Sequence, residues 1–228
     1  MDHMMPRPIL CILAGGRSSR FGAPKLWLRV NGVPMVTWIA RQLAGVCGQR
    51  WLSVAPGMEL PPGAGGCDRI VADHVGFGGP LAAMVRVLSQ VDRRAWVLFA
   101  AGDMPLIQAS HVRLMMRQLA AKRSVVGVMS QWIRGEQAGR IEPMPSLWRA
   151  GPALKLIRAA MERGVRGPSQ LASWRSVASV PIIGEQGGRT FTNINRPEDV
   201  EALAAFYLAV RLGERRMGSP RKNAKGAK

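Results

Sequence analysis

Residues 9–25 read ILCILAGGRSSRFGAPK. The opening five, Ile9–Leu13, are an apolar run short enough for one buried strand, and it breaks into a glycine-rich turn that carries Arg17, Arg20 and Lys25. A strand ending this way makes an anion site. Gly15 and Gly16 let backbone N–H groups approach a phosphate with no Cβ in the way, and the cations supply charge where phosphate oxygens would lie. Two familiar phosphate motifs do not fit the stretch. Gly15 is followed directly by Gly16 and then Arg17, so G-x-G-x-x-G is absent, and no Gly-Lys-Ser/Thr closes the loop.

Outward from this loop the chain alternates short apolar runs with helical periodicities. A segment at 26–30 closes on the turn pair Asn31-Gly32, and Pro34 opens a helix whose apolar face is Val36, Ile39 and Leu43. A strand at 51–55 leads into a Pro/Gly-rich surface loop at 56–66. Another strand at 69–72 precedes Asp73, and Gly79-Pro80 begins a helix lined by Leu81, Met84, Val85 and Leu88. The run AWVLFAA at 95–101 is continuously apolar, as expected of a central parallel strand covered on both faces. It ends in Gly102-Asp103-Met104-Pro105, which sets a carboxylate at the strand edge where open α/β sheets bind ligands.

A helix with Val112, Met115, Met116 and Leu119 on one face comes next, followed by strands at 125–129 and 144–148; the polar stretch 130–142 between them fits no single element. A helix at 152–163 aligns Leu154, Ile157 and Met161, a short helix is expected at 169–174, and 177–183 reads as a strand. Pro197, Glu198 and Asp199 form a helix start, with Val200, Leu203, Ala204 and Tyr207 as its packing face. The alternation predicts an α/β protein: three layers, α/β/α, around a mostly parallel doubly wound sheet, with no internal repeat and no second domain.

Composition bounds the function classes. The chain has 228 residues, 47% of them apolar, with a mean hydropathy of +0.02. No uninterrupted apolar stretch approaches the roughly 20 residues that span a bilayer, and the start MDHMMPRP leads into a run of only five apolar residues, so a cytoplasmic protein with no membrane association is expected. Cys11, Cys47 and Cys67 are odd in number and widely spaced, which suits small buried hydrophobes rather than disulfides or zinc, and His3, His74 and His111 are too scattered for a metal cluster. The net charge is +18. Seven cations against Glu214 alone fall in residues 211–228, read as a disordered basic tail, so six of the eighteen units sit there. Such a balance favours anionic ligands, while one Tyr and no alternation of aromatic and basic residues give no specific nucleic-acid reading.

The loop's spelling, L-A-G-G-x-S-x-R-F-G-x-x-K, resembles the signature of nucleotidyltransferases of the molybdenum cofactor guanylyltransferase type. Three later features follow in the same order: Gly79-Pro80-Leu81-Ala82 after an aspartate, Gly102-Asp103-Met104-Pro105, and Asn193-Ile194-Asn195-Arg196-Pro197-Glu198-Asp199. The resemblance implies a nucleotidyltransferase domain over residues 1–210 that transfers GMP from GTP to the terminal phosphate of molybdopterin, releases pyrophosphate and uses Mg²⁺. It implies nucleotide contacts at Leu13, Ala14, Gly15 and Gly16, phosphate contacts at Arg20 and Lys25, a nucleotide contact at Asp73, Mg²⁺ on Asp103, and a polar contact near the metal from Asn195 or Asn193. Each has a plainer alternative: Asp103 capping the next turn, Asp73 a strand-end residue, the two asparagines bonding backbone before a helix.

The chain departs from the family at Ser53-Val54-Ala55-Pro56, where the guanylyltransferases often carry Asn, and at Glu142-Pro143, where they tend to carry His-Pro. Two alternatives therefore stand beside the first reading: a cytidylyltransferase acting on the same cofactor, and a non-catalytic cofactor-binding protein of the same fold. The expected partners are GTP and molybdopterin, with a molybdoenzyme or chaperone receiving the product and a monomer or weak oligomer as the working form.

Overall fold

The computed structural model describes residues 5–15, 28–60, 66–73, 78–183, 190–194 and position 199. Expectations that fall on Gly16, Arg17, Arg20, Lys25, Asn195, the last helix and the basic tail lie outside these residues.

The first strand, β1 (Ile9–Leu13), forms where the apolar run predicts it, and its middle three residues are buried. A two-residue hairpin, β2 (Arg29–Val30) and β3 (Val33–Pro34), turns at Asn31 and Gly32, both with positive φ. Helix α1 (Met35–Leu43) starts directly after Pro34 and buries Val36, Ile39 and Leu43, the face that their three- and four-residue spacing defines. Strand β4 (Arg50–Val54), strand β5 (Arg69–Ala72), helix α2 (Gly79–Leu88), strand β6 (Trp96–Ala101) and helix α3 (Ala109–Ala121) follow in the predicted order. β6 is buried along nearly all its length, as its unbroken apolar run requires.

The remaining elements are β7 (Gly127–Trp132), β8 (Ile141–Arg149), α4 (Ala150–Glu162), a 3-10 turn (Pro168–Ser173) and β9 (Val177–Ile182). The segment 130–142 resolves into the end of β7, a loop and the start of β8. Helix α4 buries Ala150, Ala153, Ile157 and Ala160, whereas Leu154 and Met161 pack at its flanks. Helix α4 packs against α2 and β8, and the residues it buries are mostly small.

Seven strands form one sheet in the order β5-β4-β1-β6-β8-β7-β9. All run the same way except β8, which is antiparallel to both β6 and β7. From β1 the chain moves outward to β4 and β5, then returns to β6 on the other side of β1. Right-handed crossovers then place α1 and α2 on opposite faces, which makes the sheet doubly wound. The strand order reverses between β1 and β6, and a crevice opens at such a switch point beyond the strands' carboxyl ends. The fold therefore brings Ala14-Gly15 after β1 and the Gly102-Asp103 turn after β6 to one place. Among the described residues no helix is long and apolar enough to cross a membrane.

Candidate functional site

The switch point is stitched by backbone bonds. Leu13 and Ala101 are register partners at the ends of β1 and β6, and one residue further on the Gly102 N–H donates to the Leu13 carbonyl at 3.0 Å. On the other side of β1, the Ala14 N–H donates to the Ser53 carbonyl at 2.8 Å. The Leu13 carbonyl and the Ala14 N–H thus serve the sheet.

Gly15 is buried, and its position explains the absent side chain. A Cβ there would stand 2.4 Å from Asp73 Oδ2 and 3.4 Å from the Ala55 nitrogen. Asp73 follows β5, two strands from β1, a separation of roughly 10 Å at ordinary strand spacing. Its own N–H continues the ladder by donating to the Val54 carbonyl at 2.8 Å. Its carboxylate spans the rest by lying over the end of β4, where the buried Ser53 hydroxyl donates to Oδ1 at 2.7 Å. Two residues expected at the site from sequence, Gly15 and Asp73, are therefore in contact, and a third, Ser53, holds the carboxylate that joins them. Ser53 breaks the apolar run of β4, and it opens the stretch where the resembled family often carries Asn; these are the two signals by which sequence points to it.

Asp103 is half-buried in the turn beyond β6. Four hydrogen bonds fix that turn: Gly102 N–H to Leu13, Met104 N–H to the Ala101 carbonyl at 3.3 Å, the Trp38 indole N–H of α1 to the Pro105 carbonyl at 3.2 Å, and Ile194 N–H to the Asp103 carbonyl at 2.8 Å. The last brings the 190–194 segment, 90 residues downstream, against the turn and sets the exposed Asn193 next to its contact with Asp103.

Beyond β6, the same edge carries groups that the sequence reading left unassigned. His111, in the first turn of α3, shares a 2.8 Å hydrogen bond between Nε2 and the buried Ser130 hydroxyl of β7. Burial lowers its pKa to about 4, so the ring is neutral near pH 7. Its ring meets Phe191 edge-on at 5.3 Å, and Trp132 lies 6.1 Å from the same phenyl. The Trp132 indole donates to Glu142 at 2.9 Å, and Arg140 pairs with that carboxylate at 3.2 Å.

The cysteines contribute no nucleophile. Burial raises the pKa of Cys11, the nearby Asp73 and Cys67 raising it further; burial also pushes Cys47 up to about 12 and raises Cys67. Among the described residues no group of three or more His, Cys, Asp or Glu could hold a metal by itself. Among the described residues the edge sets one acidic residue, Asp73, on the β5 side of the switch point and another, Asp103, on the β6 side.

Comparison with known proteins agrees with this geometry. The family model described as a MobA-like NTP transferase domain matches residues 10–177. A probable molybdenum cofactor guanylyltransferase of Trichormus variabilis is 27% identical over 205 residues, covering 86% of this chain and 90% of that protein. The molybdenum cofactor guanylyltransferase of Pseudomonas putida is 29% identical over 205 residues, covering 88% of this chain and all of that protein. Among solved structures, the molybdopterin-guanine dinucleotide biosynthesis protein A of Archaeoglobus fulgidus superposes with a TM-score of 0.64 at 16% identity, covering 88% of this chain and 99% of that one.

Proposed function

The chain belongs to the MobA-like NTP transferase family, and from that premise we propose that it transfers GMP from GTP to the terminal phosphate of molybdopterin, releasing pyrophosphate. The observation that carries the reading is the pairing of Gly15 with Asp73 on one side of the switch point and the four-bond anchoring of the Asp103 turn on the other. The named activities of the curated relatives support the same acceptor.

In the transfer, an oxygen of the acceptor phosphate forms a new bond to the α-phosphorus of GTP as the bond from that phosphorus to the bridging oxygen of pyrophosphate breaks. Negative charge builds on the bridging and non-bridging oxygens, so catalysis consists of alignment and charge neutralisation. On this reading Arg20 and Lys25 of the glycine loop neutralise the triphosphate. Gly15 leaves room for the Asp73 carboxylate that Ser53 orients at the nucleotide's edge of the sheet. Asp103 would hold Mg²⁺, and the donor set fits: Mg²⁺ on a triphosphate takes one or two carboxylates and completes its shell with phosphate and water oxygens, so no protein cage is required. The bound ion would withdraw charge from the phosphate oxygens.

Asp73 also bears on the base. A carboxylate only accepts hydrogen bonds, and the Watson–Crick edge of guanine offers two adjacent donors, N1–H and the 2-amino group, where cytosine offers its 4-amino group beside two acceptors. If the held carboxylate faces the base, it selects guanine.

The test is a pyrophosphate-release screen of the four ribonucleotides with and without molybdopterin. GTP is expected to support release only when Mg²⁺ and molybdopterin are both present, and Asp103→Ala is expected to abolish it. Release with CTP alone would move the assignment to the cytidylyltransferase alternative. Tight cofactor binding with no turnover under any nucleotide would make the chain a carrier.

A further inference from the structure

Residues 190–194 run along the carboxyl edge of the sheet from the end of β7 to the end of β6, and the two ends of this strap are held differently. At the β7 end Phe191 is 9% exposed and its ring sits on the edge of His111 and against Trp132. His111 is itself held by Ser130, and Trp132 by Glu142, so the seat is built from α3, β7 and β8. At the β6 end Ile194 is 1% exposed, and its N–H donates to the Asp103 carbonyl. Between the two anchors Thr192 and Asn193 are exposed.

The Thr190 hydroxyl is buried with no hydrogen-bond partner among the described residues. That burial opposes seating the strap. Ordering must therefore come from the apolar anchors, of which Phe191 is the larger.

We propose that Phe191 is a positioning residue for the transfer reaction: seated on His111, it sets the register of the strap, and through the Ile194–Asp103 backbone bond it fixes the peptide that aims the Asp103 carboxylate. The role rests on the reading of Asp103 as the metal-holding residue. The Asp103–Met104 peptide is held at both edges: its N–H donates to the Ala101 carbonyl, and the strap grips its C=O through the Ile194 N–H. Losing the seat loosens that grip and leaves Gly15, Ser53 and Asp73 undisturbed.

The experiment compares the full chain with Phe191→Leu, which keeps an apolar side chain and loses the ring, and with His111→Gln, which keeps a polar partner for Ser130 and removes the surface the ring sits on. Two quantities are measured: the exchange rate of the Ile194 amide by NMR, on protein free of nucleotide and metal, and the Mg²⁺ dependence of pyrophosphate release. Both variants are expected to exchange the Ile194 amide about tenfold faster or more. They are also expected to lose about ten- to a hundredfold in kcat at fixed Mg²⁺, the scale of an ångström's misplacement, with a raised Mg²⁺ half-saturation and an unchanged KM for GTP. Unchanged Ile194 exchange in folded Phe191→Leu, or an unchanged Mg²⁺ half-saturation, overturns the role while an active wild type preserves the functional reading. A wild type that releases no pyrophosphate from any ribonucleotide overturns that reading and this role with it.

Discussion

Gly15 and His111 show how single residues set the behaviour of this edge. Adding a methyl group at Gly15 forces the Asp73 carboxylate away, because the new Cβ would stand 2.4 Å from Oδ2. Asp73 can swing, but only by breaking its bond to Ser53. Gly15→Ala is therefore expected to cost about 1–3 kcal/mol of stability, because the buried Ser53 hydroxyl loses its partner, and to raise the KM for GTP about tenfold, the value of about one hydrogen bond to a charged group. Steady-state kinetics beside a thermal melt separates the two effects.

His111 supplies a pH dependence. Its pKa in the fold is about 4, against about 6.5 in an unfolded chain. Between those values the unfolded chain binds a proton that the native chain does not. The stability from burying the neutral ring is thus complete above about pH 6.5 and declines as pH falls towards 4. Urea titrations at pH 7 and pH 5 are expected to show a loss of about 2 kcal/mol in wild type that His111→Gln does not share.

Among elements, the β7–β8 pair shows how tightly two strands can be matched. Gly127 is the register partner of Trp148, and a Cβ on it would fall 2.2 to 2.8 Å from three atoms of that indole. Trp148 is fully buried, and its Nε1–H donates to Ser146 at 2.8 Å, so the ring has nowhere to move. Gly127→Ala is expected to cost about 2 kcal/mol or more through overpacking, read as a lower urea midpoint with an unchanged m-value. The sequence does not announce this constraint, since glycine in a strand looks like a weakness until the indole lying over it is seen. Helix α4 teaches a related lesson. Its periodicity was legible, but Leu154 and Met161 look like the buried face, while Ala150, Ala153 and Ala160 occupy it. Hydropathy ranks the larger side chains first, whereas the buried stripe of α4 is mostly alanine.

At the scale of the molecule, charge and topology act separately. Six of the eighteen net positive charges belong to residues 211–228. Removing that segment is expected to weaken retention on a polyanionic resin and to lower its salt dependence, with pyrophosphate release unchanged. A parallel fall in release would assign the segment to the reaction. Topology decides where the site lies: β1 and β6 are more than eighty residues apart in the chain, yet they are neighbours at the point where the strand order reverses.

The sequence alone determined the strands β1 and β6, the faces of α1 and α3, most of the face of α2, where Val87 is buried and Val85 is not, the α/β class, and Gly15 and Asp103 as residues beyond the ends of buried strands. These follow from local patterns: the length of an apolar run, a period of three to four residues, and a glycine or carboxylate directly after a run. The tertiary structure decided the antiparallel direction of β8, the hold of Ser53 on Asp73, the contact of Asp73 with Gly15, and the strap that ties Phe191 and Ile194 to the Asp103 turn. Each of these joins residues from about 20 to 90 positions apart. A side-chain period carries no strand direction, and a hydrogen bond between distant residues leaves no local trace, so only the folded chain can specify them.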